Sequence, residues 1–519
     1  MALGDRGDVR WRNIAALARD AARRFGDAPA VIEGDRRISF VELERLMDET
    51  ARGLYARGFR AGDRAVFWAP NGWRWIVGAL AVHAIGGVVV PVNTRYRAGD
   101  LAYILAKVAP RAVLLEQGFL GADFLGMLDE ALGETPRPLT VLFDDAPDAR
   151  GICFKDLLAG QAAGDGLDLS GGEGDTPSDI IFTSGTTGSP RGVVTTHAQV
   201  LRGFYDFGAQ CGLTGGDRYA VVNPFSHSFG YRSGWVMALM FGACVWPLAV
   251  LDVPPLLELI ERERITVLPG PPTLYQSMLS SPELARRDLS SLRLAWTGAA
   301  SIPPALITAI RTELGLRDVF TAYALTEATA VATLTRPGDS DERIATTSGC
   351  ALPDIEVRIA NGSTPLAAGE SGEIQVRGYN VTPGYLDDPA ATAEAVDAEG
   401  WLHTGDIGAL DEEGYLVVSG RMKEMIIVGG FNVYPAEVEN LLLQHPNVAE
   451  VAVVGVADER MGEVPLAYLV PRAGCTIDGA EVMAWTKQRI ANFKAPRQVR
   501  VVDSLPRNAL GKVLKHQLG

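Results

Sequence analysis

The 519-residue chain carries 48 Lys and Arg against 63 Asp and Glu, a formal net charge of −15, with 47% hydrophobic and 21% charged residues. The length exceeds one ordinary core and the composition is globular, which argues against pervasive disorder. The acidic balance argues against a nucleic-acid or anionic-membrane partner, because no cation excess exists to neutralise phosphates, so any phosphate binding must be local.

The five cysteines (Cys153, Cys211, Cys244, Cys350, Cys475) are scattered with no C-x-x-C pair, which points away from disulfides or zinc and toward a reducing cytoplasm. The charged N-terminus has no apolar h-region, so no signal peptide is expected. Trp75 to Val92 and Gly234 to Leu251 lack Asp, Glu, Lys and Arg, yet Gly and Pro interrupt both. Each reads as buried helix then buried strand rather than a membrane span.

In chain order, Ile14–Phe25 has helical apolar spacing, and Ser39-Phe40-Val41-Glu42 resembles a capping box opening the next helix. Arg64–Trp68 and Val88–Val92 read as buried strands with a helix at Trp73–Ile85 between them; Val113–Leu115 and Thr140–Phe143 continue the α/β alternation. Residues 160–177 read as a surface connection. Asp179 to Thr196 then reads as strand, tight loop, strand. The loop from Thr183 to Gly192 holds the hydroxyls of Thr183, Ser184, Thr186, Thr187 and Ser189, three glycines, and Arg191. Glycines let backbone N–H groups turn toward an anion, hydroxyls add donors, and Arg191 adds fixed positive charge. A phosphate-binding loop is the reading, although it lacks the G-x-x-x-x-G-K-[ST] pattern and an ordinary Ser/Thr/Gly hairpin would look similar.

Beyond the loop, helices are expected from about Ala198 and at Trp235–Phe241, Pro254–Glu263, Pro272–Leu279 and Pro303–Leu314. Strands are expected at Tyr219–Asn223, Ala243–Trp246, Thr266–Leu268 and Leu292–Trp296. Period-two segments at Glu356–Ile359, Gly372–Arg377 and Tyr415–Ser419 suggest a small antiparallel β unit. The last hundred residues read as a separate α+β unit, placing domains at 1–420 and 421–519 with a boundary at Gly420 to Lys423.

Four further stretches place polar or small residues at ends of apolar runs, where ligand sites form in open α/β sheets. Tyr323-Ala324-Leu325-Thr326-Glu327-Ala328 offers an aromatic face, a hydroxyl and a carboxylate, suited to a base, a phosphate oxygen and Mg²⁺. A capped helix start would read the same way. Trp401 to Gly408 includes Asp406, an acceptor for ribose hydroxyls. Gly420-Arg421-Met422-Lys423 precedes Gly429-Gly430-Phe431-Asn432-Val433-Tyr434-Pro435, and Leu505 to Lys512 sets a lysine on a turn.

The motifs T-S-G-T-T-G-S-P-R-G, Y-A-L-T-E, T-G-D, G-R-M-K and P-R-N-x-x-G-K, in that order and spacing, resemble those of the adenylate-forming superfamily of acyl-CoA synthetases, luciferases and carrier-protein adenylation domains. The resemblance runs from about Asn13 to Leu518. It implies a large N-terminal domain of stacked α/β sheet subdomains plus the small β unit, with a small mobile α+β C-terminal domain. It also implies an ATP-dependent, AMP-forming acyl-CoA synthetase using ATP, Mg²⁺ and CoA.

By the same resemblance, Thr183, Ser184, Gly185, Thr186 and Thr187 contact the triphosphate, Thr326 lies near the α-phosphate, and Glu327 binds Mg²⁺. Gly298, Ala299, Ala300 and Tyr323 line the adenine site, while Asp406 and Arg421 hold the ribose. Lys512 is the catalytic lysine of the first half-reaction and Lys423 the hinge residue. Gly429, Gly430 and Phe431 join the thioester-forming site after the small domain rotates. Most relatives carry lysine where Arg191 stands; arginine keeps the charge and adds planar, forked geometry.

Asn223 to Arg232 (N-P-F-S-H-S-F-G-Y-R) falls where the family lines its acyl pocket, with His227 at the mouth and Phe229, Gly230 and Tyr231 beside it. A core histidine bonded to backbone reads the same way. This stretch, I-T-V-L-P-G-P-P-T-L-Y-Q-S and G-G-F-N-V-Y-P-A-E-V-E are similar to those of the branch acting on the methylhydrindanone-propanoate left by sterol A/B-ring degradation. That acid, or a medium- or long-chain fatty acid, is the implied substrate. Loading of a carrier protein in trans, diversion to amide or N–N bond formation, and a non-catalytic nucleotide-binding protein are the alternatives. Glu327 and Lys512 weigh against the last. Expected partners are a small carboxylic acid, ATP and CoA, without nucleic acid or membrane span; oligomeric state stays open, a homodimer included.

Overall fold

The structure, a computed structural model, describes residues 6–145, 148–158, 167–183, 190–298, 302–428, 431–458, 460–507 and 513–518. A seven-stranded sheet runs in spatial order Ile152–Cys153, Leu139–Leu142, Ala112–Leu115, Arg64–Trp68, Val88–Pro91, Pro177–Thr183 and Arg191–Thr196. Neighbours are parallel except the last, which turns back antiparallel on Pro177–Thr183.

These strands are apolar on both faces because both faces are covered. Ala65 and Phe67 pack with the helices Phe40–Ala56 and Trp73–Ile85, whereas Val66 and Trp68 pack with Ala98–Val108 and Phe124–Leu132. Every residue from Trp75 to Ile85 is buried, and the helix stops at Gly86, whose φ of 82° is the left-handed cap glycine favours. That burial explains the span-like composition. Among the described residues no helix is long and apolar enough to cross a membrane.

A second sheet runs Arg218–Val221, Cys244–Pro247, Pro29–Glu33, Arg36–Ser39. Its edge reaches the strands Leu294–Thr297, Asp318–Tyr323, Thr333–Leu334 and Cys350–Ala351 through one residue, Val267, which bridges both Tyr219 and Leu294. The strand expected at Thr266–Leu268 is therefore reduced to that bridge. Backbone hydrogen bonds nevertheless continue past the bridge, from the Leu268 N–H to Leu294 O at 3.0 Å and from the Gly270 N–H to Trp296 O at 3.2 Å.

The β unit is a five-stranded antiparallel sheet: Thr364–Pro365, Ile355–Asn361, Gly372–Gly378, Leu402–Leu410, Leu416–Arg421. The smaller C-terminal unit pairs Ile426–Val428, Phe431–Val433, Val448–Asp458, Gly462–Pro471 and Gln498–Val501. It encloses its own core of Ile426, Val438, Leu442, Val453, Val464 and Leu469. All five cysteines are unpaired.

Candidate active site

Three segments meet at the mouth of the loop. The register sets Thr183 opposite Arg191 at the loop end of the hairpin. Residues 382–386 lie along the outer strand as a rail: Tyr385 bridges Val193, the Val194 N–H donates to Gly384 O at 3.1 Å, and the Leu386 N–H donates to Gly192 O at 2.7 Å. The rail also carries the short 3₁₀ turn Thr326–Ala328, since the Thr382 N–H donates to Glu327 O at 2.8 Å.

Glu327 thereby reaches the loop. Its Oε1 lies 3.5 Å from Thr183 Oγ1 and accepts from the Tyr385 hydroxyl at 3.2 Å. Burial and the Glu327 carboxylate push the Tyr385 phenol up to about 12, so at neutral pH it is a neutral donor. The Arg191 guanidinium stands 5.2 Å from the Tyr385 ring centroid and 3.7 Å from the exposed Glu394 carboxylate.

Directly after this turn, Thr329 and Ala330 adopt φ of 58° and 61°. Left-handed backbone costs roughly 1 kcal/mol or more at such residues and persists only where surroundings over-determine it. Here the Thr329 hydroxyl donates to Asn380 O at 2.7 Å, and Asn380 Nδ2 donates to Val331 O at 2.6 Å. Thr326 beside them is buried.

A second cluster forms where the β unit meets the strand Asp318–Tyr323. Asp406 and Arg421 are register partners, with Arg421 Nε 2.9 Å from Asp406 Oδ1. The Tyr323 hydroxyl donates to Asp406 Oδ2 at 2.6 Å. Burial, then the Asp406 charge, holds this phenol well above its usual range, so it remains protonated. The residue assigned to adenine is thus joined to the pair assigned to ribose. Gly298 follows the strand Leu294–Thr297, where an added Cβ would stand 3.3 Å from Ala322 O, a tight fit.

The stretch assigned to the acyl pocket divides. His227 and Phe229 retain accessible surface, and His227 Nδ1 accepts from the Phe229 N–H at 3.2 Å. Burial and the nearby Arg232 charge push His227 down to about 4, leaving it neutral. Gly230 and Tyr231 do not form an open wall. A Cβ on Gly230 would sit 2.2 Å from Asn223 O, so glycine is there for backbone contact. Tyr231 is wholly buried, its ring 5.3 Å from those of Trp75 and Trp235 and its hydroxyl 2.7 Å from His83 Nε2. No part of it borders a space that water could enter.

Tyr231 opens a π-helical turn, Tyr231–Val236, a geometry frequent at functional sites. Its second residue, Arg232, is fully buried and ion-paired with the equally buried Asp179, and it donates to Thr195 Oγ1 at 2.7 Å. Asp179 and Thr195 belong to the two strands of the loop hairpin. Arg232 therefore fastens the helix behind His227 to the base of the phosphate loop. Sequence reasoning missed Arg232 and Tyr385. The available signals were a lone carboxylate heading the run Ile180–Phe182 and a lone guanidinium bordering the uncharged Gly234 to Leu251 run.

Ser184, Gly185, Thr186, Thr187, Ala299, Ala300, Gly429, Gly430 and Lys512 lie outside the described residues, as does the Phe431 side chain. Lys423 is exposed on the 3₁₀ turn Met422–Glu424 between the two units. Close by, Lys515 Nζ lies 3.2 Å from Glu424 Oε2 and 2.8 Å from Glu439 Oε1.

With a strained turn presenting a carboxylate to a hydroxyl-rich loop, the chain belongs to the AMP-binding enzyme family, which it matches over residues 18–386; the family's C-terminal domain matches 437–512. It is an AMP-forming acid–thiol ligase, an ATP-dependent acyl-CoA synthetase. The chain is 45% identical over 513 residues to the 3-[(3aS,4S,7aS)-7a-methyl-1,5-dioxo-octahydro-1H-inden-4-yl]propanoyl:CoA ligase of Rhodococcus jostii (strain RHA1), covering 97% of each chain. It is 45% identical over 514 residues to the ligase of the same name from Mycobacterium tuberculosis (strain ATCC 25618 / H37Rv), covering 98% of each. Among solved structures, ATP-bound MatB from Rhodopseudomonas palustris superposes with a TM-score of 0.87 at 30% identity, covering 98% of each chain.

Proposed function

We propose that the chain joins a sterol-derived hydrindanone-propanoate to CoA through an acyl-adenylate. The observation that carries this substrate is the 45% identity, sustained over nearly the whole chain, to two ligases named for that acid.

In this reading the acid's carboxylate attacks the α-phosphorus of ATP in line and pyrophosphate leaves. Thr183 with Ser184, Gly185, Thr186 and Thr187 holds the triphosphate, and Arg191 supplies positive charge at the loop's exit. Thr326 lies at the α-phosphate, where Lys512 stabilises negative charge growing on the non-bridging oxygens. Glu327 fits Mg²⁺, which binds typically through one or two carboxylates plus substrate phosphates and neutralises phosphate charge when bound. Glu327 is partly accessible beside the loop, and its hydrogen bonds from Tyr385 and Thr183 both fall on Oε1, which leaves acceptor capacity on Oε2.

Tyr323 and Arg421 orient Asp406 toward ribose hydroxyls, and Gly298, Ala299 and Ala300 give the base close backbone approach. His227 and Phe229 border the acyl chain. The hinge lies at 421–423, between domains 1–420 and 421–519, and rotation about Lys423 would bring Gly429, Gly430 and Phe431 to the acyl centre. The CoA thiol then attacks the acyl carbon and AMP leaves. Cytoplasmic operation is supported by five unpaired cysteines.

ATP–pyrophosphate exchange across a carboxylate panel, followed by thioester formation on adding CoA, tests the reading. The hydrindanone-propanoate should exceed octanoate in kcat/KM by about tenfold or more, the scale on which a shaped apolar pocket discriminates. Octanoate equal or better would overturn the substrate; exchange without CoA consumption would reassign the acceptor to a carrier protein or an amine.

A further inference from the structure

Arg191 and Glu327 carry opposite charges at adjacent points of the loop mouth. Arg191 is the register partner of Thr183, and Thr183 Oγ1 is 3.5 Å from Glu327 Oε1. Unlike charges attract and pair where their side chains can meet, unless something stands between them. Tyr385 stands there. Its ring faces the Arg191 guanidinium at 5.2 Å and its hydroxyl donates to Glu327 at 3.2 Å. The recorded carboxylate contact of Arg191 is instead Glu394, at 3.7 Å.

We propose that Tyr385 is a positioning residue that holds the Arg191 guanidinium and the Glu327 carboxylate apart, keeping the carboxylate available to a divalent cation and the guanidinium to phosphate. This rests on reading Glu327 as the Mg²⁺ carboxylate. Tyr385 is suited to the task because its backbone is pinned from both sides. It bridges Val193, the Leu386 N–H donates to Gly192 O at 2.7 Å, and its own N–H donates to Thr392 Oγ1 at 3.0 Å. The pairing also gives the departure at position 191 a physical role. A planar guanidinium stacks on a ring, whereas an ammonium is a compact, strongly hydrated point charge.

The test measures ATP binding by calorimetry in EDTA and across a Mg²⁺ titration, with no acid present. In Tyr385→Leu the Mg²⁺ concentration for half-maximal tightening of ATP binding should rise about tenfold, the scale of one contact to a charged group. Binding of metal-free ATP should change by less than about threefold, because the loop donors remain. Tyr385→Phe keeps the stacking ring and should shift the Mg²⁺ midpoint by less than about threefold; it also serves should the leucine variant fold poorly, since a shift of about tenfold there would contradict the separator. In a Tyr385→Leu/Arg191→Gln pair the midpoint should return to within about twofold of Arg191→Gln alone, the signature of coupled residues.

Additive effects in that cycle, or an unchanged midpoint in Tyr385→Leu, would overturn the proposal. Glu327→Gln separates the two levels. If it leaves the midpoint unmoved, the metal assignment is wrong; if it raises the midpoint while Tyr385→Leu does not, only the separator role is wrong.

Discussion

Lys512→Ala is expected to slow adenylation by about 10²-fold or more, the effect of removing one transition-state donor, while largely sparing thioester formation from supplied acyl-adenylate. The asymmetry follows from where charge develops. In the first step the non-bridging oxygens of the α-phosphate become more negative as the carboxylate adds, and a cation there stabilises the transition state more than the ground state. In the second step the thiol attacks carbon and AMP departs, so that cation contributes little. Lys512 lies outside the described residues, but the chain on both sides of it is anchored. Arg507 pairs with Val513, the Leu514 N–H donates to Pro506 O at 2.8 Å, and Arg507 Nη2 lies 2.7 Å from Glu450 Oε2. Those anchors belong to the small unit, so the lysine is expected to travel with it. Pyrophosphate release and turnover of synthetic acyl-adenylate, measured separately, check this; equal loss in both would contradict it.

Arg232→Met should be the most destabilising single change, by about 3–5 kcal/mol, because it strands a buried carboxylate. Asp179 and Arg232 are both 0% exposed, and Arg232 Nε and Nη1 have no hydrogen-bond partner. Such a pair is costly to bury, and breaking it costs more than deleting both charges. Asp179→Asn/Arg232→Met should accordingly recover about 2 kcal/mol relative to Arg232→Met alone. Denaturant midpoints of the N-terminal transition measure both. A single variant as stable as the native chain, or a double variant as unstable as the sum of its parts, would contradict the pairing.

These residues also show what a sequence reveals. Arg64–Trp68 and Trp73–Ile85 were legible because an apolar run and its flanking Gly carry their own length and period. The extent of the strand at Thr266–Leu268 was not, since it depended on neighbours at Tyr219 and Leu294. The same division holds at the site. The loop, the Thr326–Glu327 turn and Asp406 were visible as polar residues ending apolar runs and through resemblance to a family. Tyr323 on Asp406 joins positions 83 apart, and Arg232 on Asp179 joins positions 53 apart. Nothing local marks either contact; both arise from strand order and register. Tyr231 misled for the same reason, because an aromatic beside a pocket stretch reads identically whether it faces substrate or the core.

The central claim is that a carboxylate oxygen attacks the α-phosphorus of ATP. Supplying the hydrindanone-propanoate with both carboxylate oxygens as ¹⁸O, with ATP and CoA, and weighing the products tests it most directly. AMP should carry one ¹⁸O and the thioester carbonyl the other. Unlabelled AMP, or release of ADP with labelled inorganic phosphate, would contradict the account.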